Sequence, residues 1–224
     1  MNKKLKRVSG AITIVLLGCF LAFNAVAYSN SGDLISKEDP KGPILPATQK
    51  LFLLGGYGEY DTYYNDVYST GDGASWNTVT TAANWSPRME SNSIFFNGKL
   101  WVMGGADITS SPNDLWSSTD GVTWSLVATL PQFQSTDLTR LAVFKGNLIV
   151  VEGWTGSLWS SADGVSWGAP IVTNAPWAER SGFGLVTFKD KLWVVGGSTS
   201  GTAGYANDLW TWDGNTPAVW VHED

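Results

Sequence analysis

The chain has 224 residues, with 20 acidic against 14 basic side chains, a formal net charge of −6 and a single cysteine. An acidic chain lacks the basic footprint that nucleic acids and anionic lipid surfaces require, which excludes both as main partners. One cysteine excludes an intrachain disulfide framework, so the fold depends on its apolar core.

Residues 1–27 have the features of a secretory signal peptide. Four basic residues lie within positions 3–7, an apolar stretch runs from Ala11 to Phe23, and Ala25-Val26-Ala27 has the small-x-small pattern that signal peptidase cuts. The apolar stretch is shorter than the ~20 residues of a membrane span. We predict cleavage after Ala27 and export to the periplasm or the extracellular medium. A lipoprotein anchored through Cys19 and an uncleaved anchor remain as alternatives.

The chain that follows the predicted cleavage site begins with a polar segment. Residues 28–43 contain Pro, Gly and charged side chains without apolar periodicity, which is typical of a flexible leader. Loss of the four basic residues leaves 10 basic against 20 acidic side chains, a net charge of −10. We predict a protein or neutral glycan as partner, no nucleic acid, no membrane span after cleavage, and one repeat domain over residues 44–224.

Four copies of one sequence pattern make up this domain. The copies share a Gly-Gly-type step after an apolar run, then Asp-[Leu/Val]-[Trp/Tyr], then Asp-Gly-x-x-Trp. The steps lie 49, 48 and 44 residues apart, a period that predicts the blades of a β-propeller. The residues to which we assign a structural role in the repeat are Gly55, Gly56, Gly104, Gly105, Gly153, Gly196, Gly197, Asp72, Gly73, Trp76, Asp120, Gly121, Trp124, Asp163, Gly164, Trp167, Asp213 and Gly214.

The second copy predicts four antiparallel strands joined by short turns. Asn97-Gly98 is a strong signal for a tight hairpin, because both residues tolerate positive φ. Asp120-Gly121 predicts another tight turn. We therefore predict an all-β propeller, complete or partial, of about four blades with four strands each. The predicted blades cover residues 44–80, 86–130, 137–172 and 178–224, and the first strand of the first blade is assigned to residues 44–47.

The pattern resembles the kelch motif, and in particular exported bacterial kelch repeats with a Ser-Thr-Asp-Gly-Val-x-Trp hairpin. That hairpin is Ser118–Trp124 here, and Arg88 and Arg180 precede inner strands as in that subgroup. The resemblance covers roughly residues 44–224 and implies a β-propeller related to the galactose-oxidase-like proteins. Such propellers usually have six or seven blades. Four blades leave open a small closed ring, an open arc, a shortened propeller, or a homo-oligomer in which a second chain completes the ring.

Tyrosines in the long connections are the first candidate ligand contacts. The connections between the second and third strands, at residues 57–65, 106–113 and 198–207, are predicted to project from one face. Tyr among small polar residues is typical of recognition surfaces, although a mobile loop would have a similar composition. The candidate residues are Tyr57, Tyr60, Tyr63, Tyr64 and Tyr205.

The third copy departs from the repeat at Glu152 and Trp154. Glu152 replaces the first Gly of the step, and Trp154 follows in a shortened connection. A carboxylate and an indole on one short loop suggest a ligand contact. The favoured interpretation is structural, with Trp154 packed within the loop and Glu152 solvated.

Four charged residues near the inner strands form the candidate site of an alternative enzyme function. Arg88 and Arg180 occupy equivalent positions, with Glu90 and Glu179 beside them. These side chains would surround the central channel and bind an anion or a sugar acid, although simple pairing of the arginines with carboxylates is the favoured interpretation. The resemblance implies, for this alternative, a carbohydrate enzyme of the periplasmic kelch mutarotase or epimerase type.

Other catalytic constellations are missing from the sequence. His222 is the single His, and Cys19 lies in the predicted signal peptide, so a Ser-His-Asp triad, a transition-metal site and a copper-oxidase site lack their residues. We predict no cofactor and no metal. The favoured function is a non-catalytic module that binds a protein or a glycan through loops on one propeller face.

Overall fold

The computed structural model describes residues 50–129, 138–177, 179–199, 204–215 and 219–223, together with the backbone of residues 25–28. Every regular element in these ranges is a β-strand, and the strands form four antiparallel sheets. The prediction of an all-β chain built from consecutive antiparallel units is confirmed. No helix in the described ranges is long and apolar enough to cross a lipid bilayer.

We call the four sheets blades 1 to 4, and the strand positions within a blade a, b, c and d in chain order. Blade 1 contains β1 (Ala25–Tyr28), β2 (Lys50–Gly58), β3 (Thr62–Thr70) and β4 (Asn77–Thr80). Blade 2 contains β5 (Asn92–Phe96), β6 (Lys99–Met103), β7 (Asp114–Ser118) and β8 (Ser125–Thr129). Blade 3 contains β9 (Thr139–Phe144), β10 (Asn147–Glu152) and β11 (Leu158–Ser161). Blade 4 contains β12 (Arg180–Ser181), β13 (Gly184–Phe188), β14 (Lys191–Thr199), β15 (Tyr205–Trp212) and β16 (Val221–Glu223).

The a–b hairpins of blades 2 to 4 have the two-residue turns that their sequences predict. Asn97 and Gly98 take φ values of 48° and 74°, and Lys189 and Asp190 take 49° and 57°. Positive φ at both central residues gives the turn the right-handed twist that matches its flanking strands. The turns fix the register, because Phe96 then pairs with Lys99 and Phe188 with Lys191.

The a position of blade 1 differs from the prediction. Its strand is β1, in which Ala25 pairs with Leu53 and Tyr28 with Lys50. Residues 44–47, to which the sequence assigned this strand, lie outside the described residues, as does most of the predicted leader. β1 thus includes the last three residues of the predicted signal peptide.

Blade 3 lacks the fourth strand that the sequence predicts. Within the described residues, an isolated bridge between Leu158 and Val172 takes its place. Pro170 precedes this bridge and has no N–H to donate to the neighbouring strand, so a regular ladder cannot extend through it.

Apolar side chains between consecutive blades form the core. Phe52 and Leu54 of blade 1 pack with Leu100 and Val102 of blade 2. The same arrangement recurs between blades 2 and 3 and between blades 3 and 4. The a strands pack side by side in the order β1, β5, β9 and β13. Among the described residues, no comparable packing joins β13 to β1.

The Asp-Gly turns follow strand c, and those of blades 2, 3 and 4 rest on the preceding blade. The Asp163 carboxylate accepts hydrogen bonds from the backbone N–H groups of Val165 and Ser166, which holds the pKa of this exposed side chain well below its usual range. Gly164 has a φ of 77°, and a Cβ there would lie 2.5 Å from the ring of Trp101 in blade 2. The glycine therefore allows both the turn and close contact between blades.

Candidate functional site

Arg88 joins blade 1 to blade 2 through its backbone and its side chain. Its backbone N–H donates to the Tyr64 carbonyl, and its own carbonyl accepts from Gly56, both residues of blade 1. Its guanidinium donates to both carboxylate oxygens of Asp114, at 2.5 and 2.9 Å, and to the Gly104 carbonyl, all in blade 2. The Arg88 side chain is 1% exposed and that of Asp114 is 16% exposed, so the guanidinium is buried between the two blades and the carboxylate is partly accessible.

Arg180 repeats this arrangement between blades 3 and 4. Its backbone N–H donates to the Gly153 carbonyl of blade 3. Its guanidinium donates to both carboxylate oxygens of Asp208, at 2.7 and 3.0 Å, and to the Gly196 carbonyl of blade 4. Hydrogen bonds from Arg180 lower the pKa of Asp208 to about 2. The ion pair is therefore maintained throughout the neutral and mildly acidic range.

A tryptophan three residues before each arginine completes the connection between blades. The guanidinium carbons of Arg88 and Arg180 each lie 5.9 Å from the ring centroids of Trp85 and Trp177. Both indoles are buried in the cores between blades. We call each Trp-x-x-Arg segment a connector.

The connectors place the arginine candidates in structural pairs with aspartates. Both guanidinium groups are buried, and each donates to both carboxylate oxygens of an aspartate, Asp114 for Arg88 and Asp208 for Arg180. Glu90 is exposed, and Glu179 is half-buried. The structure therefore agrees with the interpretation that these arginines pair with carboxylates. A sugar acid would have to displace Asp114 or Asp208 to reach them.

Blade 3 shows how Glu152 substitutes for the missing aspartate. In blades 2 and 4 the aspartate carboxylate also accepts from the indole N–H of the Trp two residues later. Blade 3 has Ser157 at that position, and the Trp159 indole donates to Glu152 at 3.2 Å instead. Glu152 is 3% exposed, so the predicted solvated carboxylate is wrong. Its carboxylate also accepts from Thr155.

Trp154 lies in the opposite environment from Glu152. Its side chain is 58% exposed, so the predicted packing of this indole within the loop is also wrong. The exposed indole and the buried carboxylate do not form one contact surface. Of these two residues, only Trp154 is exposed to a ligand.

The long connections of blades 1 and 4 lie partly in strands. Residues 57–58 belong to β2 and residues 62–65 to β3, while residues 198–199 belong to β14 and residues 205–207 to β15. Tyr57 pairs with Tyr63 across the hairpin, and their rings meet edge to face at 5.1 Å between centroids. The Tyr57 hydroxyl donates to Asp61, and Tyr64 covers Gly58 on the other face of the ribbon. These three tyrosines stabilise the hairpin and are half-buried.

Among the described residues, a large exposed side chain lies at the b–c end of each blade. Tyr60 is 86% exposed in blade 1, and Tyr205 is 83% exposed in blade 4. Ile108 is 77% exposed in blade 2, and Trp154 fills the same place in blade 3. Tyr60, Trp154 and Tyr205 are among the candidate ligand contacts named from the sequence, and Ile108 is not. Its signal was its position, since it is the one large apolar residue in residues 106–113.

Comparisons with known proteins support the fold alone. YjhT, a solved structure, matches with a TM-score of 0.61 and 15% sequence identity over 78% of this chain and 62% of YjhT. The chain thus spans less than two thirds of the length of YjhT. YjhT has a kelch-type propeller, and four antiparallel sheets with consecutive packing are compatible with propeller blades. No protein-family model matches the sequence. No curated protein matches it either.

Proposed function

We propose that this chain is an exported kelch-type recognition module that binds a protein through the b–c end of its blades. The supporting observation is the row of exposed side chains Tyr60, Ile108, Trp154 and Tyr205, one at the b–c end of each blade. We call these four residues the recognition row.

The topology favours one common face for the recognition row. In an antiparallel meander, every b–c connection lies at the same end of its blade. The a strands of consecutive blades pack side by side, which brings equivalent ends of neighbouring blades to the same side. A single exposed apolar side chain is ordinary on a protein surface. Recurrence of a largely exposed side chain at the equivalent end of every blade favours a binding role.

The chemistry of the row favours a protein ligand over a glycan. Tyr and Trp provide rigid contact area and hydrogen-bonding groups, and both are enriched among the residues that dominate binding energy at protein interfaces. Sugar stacking requires the flat face of an aromatic ring, which Ile108 does not have. The connectors also favour binding over catalysis, because Asp114 and Asp208 bind both guanidinium groups.

A binding experiment with matched variants tests this function. The triple variant Tyr60→Ala, Trp154→Ala, Tyr205→Ala removes the aromatic part of the row. A control variant, Val122→Ala, Leu126→Ala, Val165→Ala, removes three exposed apolar side chains from the c–d turns and a d strand. Each protein is immobilised and exposed to envelope proteins of the source cell, and bound proteins are quantified by mass spectrometry.

We expect a defined set of proteins to bind the unaltered chain and the control but to be depleted at least tenfold on the triple variant. Equal capture by the triple variant would contradict the proposal. The same three proteins on a glycan array provide the second comparison, and glycan binding lost only in the triple variant would replace the protein ligand with a sugar.

A further inference from the structure

Blade 4 exposes an apolar face that its three predecessors bury. We call it the leading face, formed by Val186, Phe188, Trp193, Val195 and Leu209, which lie on one side of the sheet by strand register. The corresponding face of blade 2 is Ile94, Phe96, Trp101, Met103 and Leu115, packed against blade 3.

The difference in exposure between these equivalent residues is large. Phe96 is 4% exposed and Met103 is fully buried, whereas Phe188 is 56% and Val195 is 40% exposed. Phe144, the equivalent of Phe188 in blade 3, is 3% exposed under blade 4. The leading face thus has the composition of a junction between blades, but no blade in the described part of the chain packs against it. A contiguous exposed apolar face of this kind indicates an interaction surface.

Polar contacts at the observed junctions between blades indicate which surface would pair with the leading face. The first residue of the a–b turn donates to a backbone carbonyl at the c–d turn of the following blade. Asn97 donates to the Ala162 carbonyl at 2.9 Å, and Lys145 donates to the Asp213 carbonyl at 2.6 Å. Lys189 holds this position in blade 4. Its amino group lies 5.4 Å from the Phe188 ring centroid, as that of Lys145 lies 5.5 Å from Phe144.

The matching half of a junction is exposed on blade 1. The turn glycines of blades 2, 3 and 4 each contact the preceding blade, at Phe52, Trp101 and Phe144 respectively. Gly73, the turn glycine of blade 1, has no atom within 4 Å of the place where a Cβ would lie.

Three apolar residues around this turn are also less covered than their counterparts. We call Leu51, Leu53, Tyr68 and Trp76 of blade 1 the trailing face, and all four are half-buried. Leu100, Val102 and Trp124, which correspond to Leu51, Leu53 and Trp76, are no more than 3% exposed against blade 1. Trp116, which corresponds to Tyr68, is half-buried as well. The trailing face therefore has the residues of a second junction half.

We propose that the leading face of one chain binds the trailing face of a second copy, and that two such junctions close a ring of eight blades. Within one chain the two faces do not cover each other, since Phe188 and the Gly73 turn are both open. A head-to-tail contact between different faces closes into a ring when the rotations sum to a full turn. Eight blades lie within the range of known propellers. This inference is independent of the proposed ligand.

The mass of the purified protein in solution tests the assembly. Light scattering on a sizing column should give the mass of two chains. Phe188→Asp places a charge in the new junction without disturbing a buried site of the single chain, and it should weaken the association at least 100-fold. Val165→Asp is the matched control, because Val165 is similarly exposed at 54% but lies outside both faces, and it should remain a dimer. A monomer at all concentrations, or open-ended larger assemblies, would overturn the proposal.

Crosslinking of mixed single-cysteine chains tests the orientation. In a Cys19→Ser background, Lys189→Cys is placed on one chain and Gly71→Cys on another, since Gly71 corresponds to Ala162 in the observed junction. A short bis-maleimide should crosslink the mixture and neither chain alone. Crosslinking of Lys189→Cys chains to one another would show a face-to-face contact and overturn the head-to-tail ring. No crosslink in the mixture would do the same.

Discussion

Arg88 and Arg180 show why a charged side chain is retained in an apolar junction. The backbone of each arginine forms hydrogen bonds with the preceding blade, and its guanidinium donates to a carbonyl of the following blade. The bidentate geometry that joins guanidinium and carboxylate also fixes the orientation of strand c against the connector. The planar fork of Arg is needed for this, and Lys would supply one point of attachment only.

Removal of the buried guanidinium is expected to be costly. Arg88→Ala leaves the Asp114 carboxylate and the Gly104 carbonyl without this donor, and we expect a loss of about 3 kcal/mol in the free energy of unfolding. Urea denaturation followed by tryptophan fluorescence measures the change.

Lys191→Ala is the control for Arg88→Ala. It removes the ion pair between Lys191 and Glu223, whose side chains are 41% and 32% exposed respectively. The loss in the free energy of unfolding should stay below about 1 kcal/mol, because solvent screens the pair. Equal destabilisation by both variants would mean that the connector pair is no stronger than a surface ion pair.

At the scale of elements, the Asp-Gly turn has both a local and an inter-blade role. Locally, the aspartate carboxylate accepts backbone N–H groups that the turn leaves unpaired, as in Asp120 with Val122 and Thr123. Between blades, the following glycine lies against the neighbouring core. The repeat of this turn in the sequence therefore reflects junction packing as much as turn formation.

Two glycines with the same backbone conformation separate these roles. Gly164 and Gly146 both have a φ of 77°, but a Cβ at Gly146 would meet nothing within 4 Å. Gly146→Ala should cost about 1 kcal/mol for the left-handed backbone. Gly164→Ala should lower the free energy of unfolding by about 1–3 kcal/mol more than Gly146→Ala, because Trp101 must shift. Thermal unfolding of the two variants measures the difference, and equal melting temperatures would count against tight packing of the turn on blade 2.

At the scale of the whole molecule, several depressed carboxyl pKa values predict sensitivity to acid. Backbone hydrogen bonds lower the pKa of Asp72 to about 2, and those from Thr109 and Ser110 lower that of Asp107 to about 2. Arg180 does the same for Asp208. Since unfolded Asp titrates near ~3.9, the stability from these groups is present above about pH 4 and is lost as the pH falls towards about 2.

Urea denaturation at pH 5, 4, 3 and 2 tests the acid prediction. The free energy of unfolding should fall most steeply between pH 4 and pH 2. The variant Asp72→Asn, Asp208→Asn should show a shallower fall over the same interval, because two of the titrating groups are gone. Unchanged stability from pH 4 to pH 2 in the unaltered chain would contradict the assigned pKa directions.

The sequence predicted local turns and strands better than the site. Asn97-Gly98 and the Asp-Gly turns depend on neighbouring residues, and their conformations follow from local backbone preferences. The partner of Arg88 does not follow from local preferences, because Asp114 lies 26 residues away while Glu90 is two residues away. The sequence therefore placed Glu90 beside Arg88 in the candidate site and did not identify Asp114. β1 escaped prediction for the same reason, since its pairing with β2 crosses a long connection.

The connectors also impose an order on folding as the chain emerges from its N-terminus during synthesis or transport. The N–H of Gly56 and the carbonyl of Tyr64 find their partners in the backbone of Arg88, which belongs to the next blade. An emerging blade thus remains incomplete until the following connector has been delivered. Folding then proceeds by the addition of one blade at a time to an already ordered edge.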